Sequence, residues 1–281
     1  MDSTLFLAVI AAAALHAGWN ALVRIGLDRL LSMTLIQMSS GAIALLGLFF
    51  VAPPAKDAWP WIALSALLHI GYNVFLARAY QSGDLGQVYP IARGTAPLLV
   101  MLIGLLILSE RPSLLGYLGV TVLSVGIWLM AVYGGRGLVR LERQSVSAAL
   151  ITSFFIAGYT LSDGHGARVN GDPLAYILWL FTVNGIVMTV MLLAMRGAGD
   201  FSVLLKHWRG GLAGGAMSLA AYGITIWAMS LAPIALVAAL RESSVLFALI
   251  ISALWLREPL GRGRLVAGSV ILVGVVLTRL S

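Results

Sequence analysis

Two stretches in this chain share one pattern: Leu15-His16-Ala17-Gly18-Trp19-Asn20 and Leu68-His69-Ile70-Gly71-Tyr72-Asn73. An imidazole can carry a proton, an aromatic ring can stack and an amide can donate and accept. Histidine and asparagine four residues apart, with the ring between them, share a helix face. Two further stretches place charge in equally oily surroundings. QVYPIARGTAP (87–97) carries Tyr89 and Arg93 between Pro90 and Pro97, and LVAALRESS (236–244) carries Arg241, Glu242 and Ser243. A guanidinium fork suits a carboxylate, and a lone glutamate suits an ammonium group or a proton. The same residues also have packing readings. Gly18 and Gly71 allow close helix approach, and asparagine hydrogen-bonds across helices. The arginines either meet a substrate carboxylate or form gate pairs, Arg241 with Glu242 or with Asp163.

The elements that must position these groups are set by composition. Of 281 residues, 60% are hydrophobic and 10% charged, against roughly 25% charged in soluble domains. Too few polar residues remain to cover a water-facing surface, so the solvent is lipid. The net charge of +7 is scattered over short connections; this argues against a nucleic-acid stripe and for loops beside anionic lipid. There is no cysteine, and no HExxH, GxSxG or paired carboxylates within a span. No enzyme, metal site or cofactor is therefore expected. The first basic residue is Arg24, so the first apolar run reads as a retained span and not a cleaved signal.

A span needs about 20 apolar residues, and the chain supplies ten, at about 3–24, 32–52, 58–80, 86–108, 113–133, 145–166, 174–195, 210–231, 233–256 and 261–279. The fold class is an all-α polytopic membrane protein. Spans 3–5 align with spans 8–10 at an offset of 148, which superposes Arg93 on Arg241, Glu110 on Glu258 and Gly126 on Gly274. Trp19, Tyr72, Tyr159 and Tyr222 form an aligned aromatic set, while the histidines and asparagines belong to the first half only. The halves are assigned as 1–137 and 138–281. Five is odd, so the second five-helix repeat enters the membrane from the opposite side, the inverted repeat common in secondary transporters. Glu110 and Glu258, each before a proline, are read as acids at the next helix's N-terminus. The prolines of span four predict irregular backbone there. GYLG (116–119) reads as packing glycines.

HAGWNAL in span one, YPIARGTAPLL in span four, and the SERP (109–112) and REP (257–259) stretches resemble the EamA family of the drug/metabolite transporter superfamily. The resemblance covers the whole chain. It implies ten helices in two repeats around a cavity lined by spans 1, 3, 4, 6, 8 and 9. It also implies export of small metabolites, amino acids among them, including aromatic ones. The implied cavity residues are His16, Trp19, Asn20, Tyr72, Asn73, Tyr89, Arg93, Tyr159, Tyr222, Arg241, Glu242 and Ser243. Organic cations or a lipid-linked metabolite are the alternative cargo. The expected partners are a small-molecule substrate and the lipid bilayer, in a cell inner membrane, with no nucleic acid. A monomer is the working expectation. Sidedness stays open. Loop lysines and arginines number four on the side of the termini (Lys56, Arg111, Arg168, Arg279) and twelve on the other. That count places the termini outside, whereas the family resemblance places them in the cytoplasm.

Overall fold

The computed structural model describes residues 1–22, 27, 29–82, 85–134, 143–254 and 261–281. In lipid, a backbone N–H or C=O has no water to turn to, so an apolar chain satisfies itself as helix. Twelve α-helices result among the described residues: α1 (Ser3–Leu22), α2 (Arg29–Gly47), α3 (Trp59–Ser82), α4 (Leu85–Ile107), α5 (Leu114–Gly134), α6 (Arg143–Asn170), α7 (Pro173–Arg196), α8 (Phe201–Lys206), α9 (Trp208–Leu231), α10 (Ile234–Arg241), α11 (Ser244–Leu254) and α12 (Arg262–Leu280). They make ten candidate spans, with α10 and α11 sharing the ninth. The short α8, on the connection before α9, is not among the sequence expectations. Phe49 and Phe50, at 84% and 88% exposed, face outward as lipid-side residues do.

Local chemistry sets the helix ends. Asp2 caps α1 by accepting from the amides of Thr4 and Leu5, and these donors, Thr4 foremost, hold its carboxyl below the usual range. Asp172 caps α7 through Leu174 and Ala175, with Pro173 in the first turn where its missing N–H costs nothing. Gly171 and Gly197 end α6 and α7 at φ +77° and +74°, a region that favours glycine.

The helix partners reveal the two-fold. Spans 2 and 7 pack together (α2 on α7), as do spans 5 and 10 (α5 on α12). Span 3 packs on span 6 (α3 on α6), and its counterpart, span 8, packs on span 1 (α9 on α1). The glycines carry this to residue level. A Cβ on Gly126 would meet Ile271 N at 2.7 Å, and one on Gly274 would meet Leu123 N at 2.5 Å. Both Gly126/Gly274 and Leu123/Ile271 are 148 residues apart, so one contact is the image of the other. On α2 and α7, a Cβ on Gly41 would meet Phe181 O at 3.0 Å and one on Gly185 would meet Gln37 O at 3.0 Å, an exchange at a separation of 144. Gly119 touches the Thr278 backbone, so the second glycine of GYLG is a packing residue. Two five-helix repeats, related by inversion, thus share interfaces closed by glycine.

The sequence placed a backbone irregularity at the prolines of span four. The structure corrects this: α4 runs unbroken through Pro90 and Pro97, and the break falls in the ninth span at Glu242 and Ser243. A proline costs one N–H partner, which is tolerable where neighbouring helices enclose the gap.

Because the α5–α12 contact is backbone against backbone, Gly274→Leu is expected to destabilise the protein by about 1–3 kcal/mol through overpacking. Thermal unfolding in detergent measures this. Gly268→Ala, where a Cβ would find its nearest atom at 3.5 Å, should leave the midpoint unchanged, and an equal loss in both variants would refute the close-approach account.

Candidate functional site

The site begins with the broken ninth span. At α10's end, Glu242 N and Ser243 N donate to Ala239 and Leu240; Val245 N and Leu246 N then donate to Glu242 and Ser243. These are tight i→i+3 turns between two half-helices. Arg241 ends α10, where the helix dipole is negative, and Glu242 precedes α11, where it is positive. The break therefore stabilises both charges in a place where lipid would not.

The two arginines start from different depths. Arg93 lies eight residues into α4 and Arg241 seven into α10, each about 10–12 Å from its own helix start at 1.5 Å per residue. α4 and α10 enter from opposite faces, so the two arginines approach the centre from opposite directions. Their side chains meet on Glu242. Arg93 Nε lies 2.8 Å from Glu242 Oε2, and Arg241 Nη2 lies 3.3 Å from Oε1. Arg93, Arg241 and Glu242 are 3%, 4% and 1% exposed, so water does not screen them. The Arg241–Glu242 pair was one of the sequence alternatives. The other, Arg241 with Asp163, is not what forms. Asp163, fully buried on α6, accepts instead from Tyr222 Oη at 2.6 Å and Tyr176 Oη at 3.3 Å.

Around this charge cluster stand the rings. Tyr89 lies under the Arg93 guanidinium at 5.6 Å, and Tyr222 under that of Arg241 at 5.5 Å. Tyr159 contacts both Tyr72 at 5.8 Å and Tyr222 at 6.0 Å edge to face, and stacks on His69 at 4.2 Å. Trp19 instead sets its edge against His16 at 5.1 Å. The aligned aromatic set thus divides into a tyrosine group and a separate Trp19–His16 pair.

The LHxGxN stretches resolve into parts. His16 Nε2 accepts from Arg93 Nη2 at 2.7 Å; a nitrogen facing a guanidinium must be the unprotonated one, so His16 is a neutral orienter of Arg93. His69 Nδ1 lies 2.9 Å from Ser65 O, which makes it the donor. Asn20 and Asn73 donate to the carbonyls of His16 and His69, four residues back. Asn73 Nδ2 also donates across to Met188 Sδ on α7 at 3.4 Å, the cross-helix bond that the packing reading allows, and each asparagine keeps Oδ1 as a further polar atom. Gly18 packs against Met217 and Gly71 against Phe155, so both glycines serve helix approach. Ser243 Oγ and Arg241 Nε are buried without a hydrogen-bond partner.

Sequence reasoning misplaced Glu110. It does not serve the helix that follows it. Its Oε1 pairs with Arg168 at 2.7 Å, and its Oε2 accepts from Ile234 N at 2.9 Å, capping α10. Arg168 also donates to Met229 O and Ala232 O. This clamp joins the halves on the side of the termini. Nothing in the spacing of Glu110, Arg168 and Ile234 announces it, because its members are far apart in sequence. Glu258 lies outside the described residues. A crevice of about 520 Å³, lined by Met1, Asp2, Arg111, Trp227 and Ser281 among others, opens on that side, away from the arginines.

Residues 3–132 and 144–280 match the EamA-like transporter family, and the chain belongs to that family. It is therefore a multi-pass membrane protein of a transporter family within the drug/metabolite transporter superfamily. A solved crystal structure superposes with a TM-score of 0.74 at 16% identity, covering 99% of this chain and 96% of the other; that likeness speaks for the fold alone. No curated protein matches the chain.

Glu242 is shared by two guanidiniums, so Glu242→Gln leaves both unbalanced and should cost about 3–5 kcal/mol. The double variant Arg93→Met with Glu242→Met removes one charge of each sign and should cost less. Equal or greater loss in the double variant, read by thermal unfolding in detergent, would show that the pair is not electrostatically coupled.

Proposed function

We propose that the chain is an inner-membrane secondary transporter that exports small carboxylate-bearing metabolites, with amino acids of aromatic or apolar side chain as the first class, by alternating access around the Arg93–Glu242–Arg241 cluster. The observation that carries this reading is Arg241. Its guanidinium shares a carboxylate with a second arginine and retains an unbonded Nε, and two residues on, just before α11 starts, Ser243 keeps an unbonded hydroxyl. Donors gathered at a half-helix N-terminus favour an anionic group. Tyr159, Tyr222, Tyr72, His69 and Phe181 supply ring faces and edges beside it, suited to an apolar or aromatic side chain. Asn20 and Asn73 retain Oδ1 as an acceptor for an ammonium group. The cation reading is weaker on this geometry, because Glu242 is already engaged by two guanidiniums.

In this reading, the clamp of Glu110, Arg168 and the α10 N-terminus is the closed gate of one side, and the halves rock about the shared cluster. Reconstituted vesicles loaded with phenylalanine should take up labelled phenylalanine by counterflow. Arg241→Leu should lower the rate tenfold or more, and Arg241→Lys less. Counterflow no faster than in protein-free vesicles would remove amino acids from the substrate class.

The gate has its own readout. The chain lacks cysteine, so Leu161→Cys, buried beside Gly104 beneath the clamp, is a single reporter. Adding Glu110→Gln should raise its maleimide labelling from the side of the termini several-fold. Unchanged labelling would mean that the clamp does not hold that side shut.

A further inference from the structure

Charge bookkeeping at the centre leaves a remainder that Glu242 does not cover. Arg93 and Arg241 bring two positive charges and Glu242 one negative charge, all buried. His16 is neutral, as its acceptor role requires. The fourth charge is Asp163, which no contact with substrate explains and which sits one ring away. Its Oδ2 accepts from Tyr222, whose ring underlies Arg241. Among the described residues, its hydrogen-bonding neighbours are neutral donors: Tyr222 from α9, Tyr176 from α7 and Ser65 from α3. His69 on α3 turns its Nδ1 to Ser65 O and its face to Tyr159. Arg241 on α10 is the cation that faces Asp163, across the Tyr222 ring. On α6 itself, His165 is occupied with Trp61.

A net charge carried through a low-dielectric centre costs several kcal/mol even after relaxation, so the cluster must stay neutral both empty and loaded. Empty, it is neutral when Asp163 is ionised: two guanidiniums against two carboxylates. A carboxylate arriving at Arg241 adds one negative charge that nothing else at the site offsets. We propose that Asp163 is a proton-binding site that offsets this charge, so that an organic acid without an amine crosses together with one proton, whereas a zwitterionic amino acid, which brings its own ammonium, crosses without one. The proposal rests on the reading that Arg241 takes a carboxylate.

The step is a simple protonation. One O–H bond forms on Asp163, with the proton drawn from water on the side that supplies the acid and returned to water on the side that receives it. Protonated Asp163 becomes a donor to Tyr222 Oη. That reverses the hydrogen bond now present and frees the Tyr222 hydroxyl hydrogen for the substrate carboxylate. Tyr222 thereby links the proton on Asp163 to the substrate carboxylate.

The test compares phenylalanine with 3-phenylpropionate, the same molecule without its amine. Calorimetric titration of the purified protein in two buffers of different ionisation enthalpy counts protons taken up. The wild type should take up about one proton with 3-phenylpropionate and none with phenylalanine. Its affinity for 3-phenylpropionate should fall about tenfold per pH unit above neutrality, the signature of one linked proton. Asp163→Asn, a standing mimic of the protonated state, should bind 3-phenylpropionate with no proton uptake and no such slope. No proton uptake by the wild type, or the same uptake in Asp163→Asn, overturns the proposal. If Asp163→Asn does not fold, infrared difference spectra of wild-type protein labelled at aspartate replace it. A carboxyl band rising on addition of 3-phenylpropionate supports the proton site, and its absence overturns it. If the wild type binds neither probe, the carboxylate reading fails. The same labelled protein, acidified only as far as exposed carboxylates stay ionised, then shows the band if the proton site exists and lacks it if it does not.

Discussion

Two guanidiniums closing on one carboxylate, inside a chain whose solvent is lipid, set the terms for the rest of this structure. None of the three tolerates the bilayer core alone, since each charged side chain costs roughly 2.5–3.5 kcal/mol on insertion scales. Glu242 must therefore sit where both Arg93 and Arg241 can reach it. That requirement explains why the ninth span is broken. A continuous helix would offer no exposed peptide ends, whereas the turn at Glu242 and Ser243 gives the cation a negative helix end and the acid a positive one. It also explains His16. A guanidinium with one edge on Glu242 needs an acceptor for its remaining nitrogens, and a neutral imidazole supplies one without adding charge.

The second constraint is symmetry, and it is geometric before it is functional. Five spans per half force opposite insertion, and the interfaces between halves must then be shared by a surface and its image. Glycine is the residue that permits this at closest range, because helix axes approach only where no Cβ intervenes. Gly126 on Ile271 and Gly274 on Leu123 are one contact used twice. Such interfaces are set by backbone against backbone along their line of contact, unlike the remaining surfaces between the halves. On the side of the termini, these are held by side chains such as Glu110 and Arg168.

Much of this was legible in the residues. Apolar run lengths gave ten spans because the bilayer imposes one length and one secondary structure. The 148-residue offset that pairs Gly126 with Gly274 could be read directly, and the structure shows why it exists. What could not be read were the relations that only folding creates. The helix broke at Glu242 and not at Pro90 or Pro97, because enclosure by neighbouring helices excuses a proline, and sequence does not show enclosure. Glu110 was assigned to its own next helix, since local dipole logic cannot see Ile234 arriving from the other half. Asp163 entered only as a possible mate of Arg241. Its tyrosine donors, Tyr176 and Tyr222, come from two other helices. The asparagines were read as cavity residues or as cross-helix donors; each bonds the carbonyl four residues back, and Asn73 also reaches Met188 on α7.

The departures from symmetry set the two central arginines apart. Arg93 and Arg241 are images of each other, so the fold alone would give each repeat the same anion-seeking group. Glu242 has no counterpart: its position in the first repeat is Gly94. The one acid gives each arginine an oxygen, but not at equal range: Oε2 lies 2.8 Å from Arg93 and Oε1 3.3 Å from Arg241. The first-repeat arginine is also held by His16, from the half that alone carries the LHxGxN stretches, while Arg241 keeps an unbonded nitrogen over a tyrosine. The asymmetric residues therefore make a matched pair unlike: Arg93 is held by Glu242 and His16, and Arg241 by Glu242 and the Tyr222 ring. The histidine of LHAGWN is thus best understood as the neutral acceptor that fixes Arg93, a role that Ile156, at the aligned position of the second repeat, cannot play.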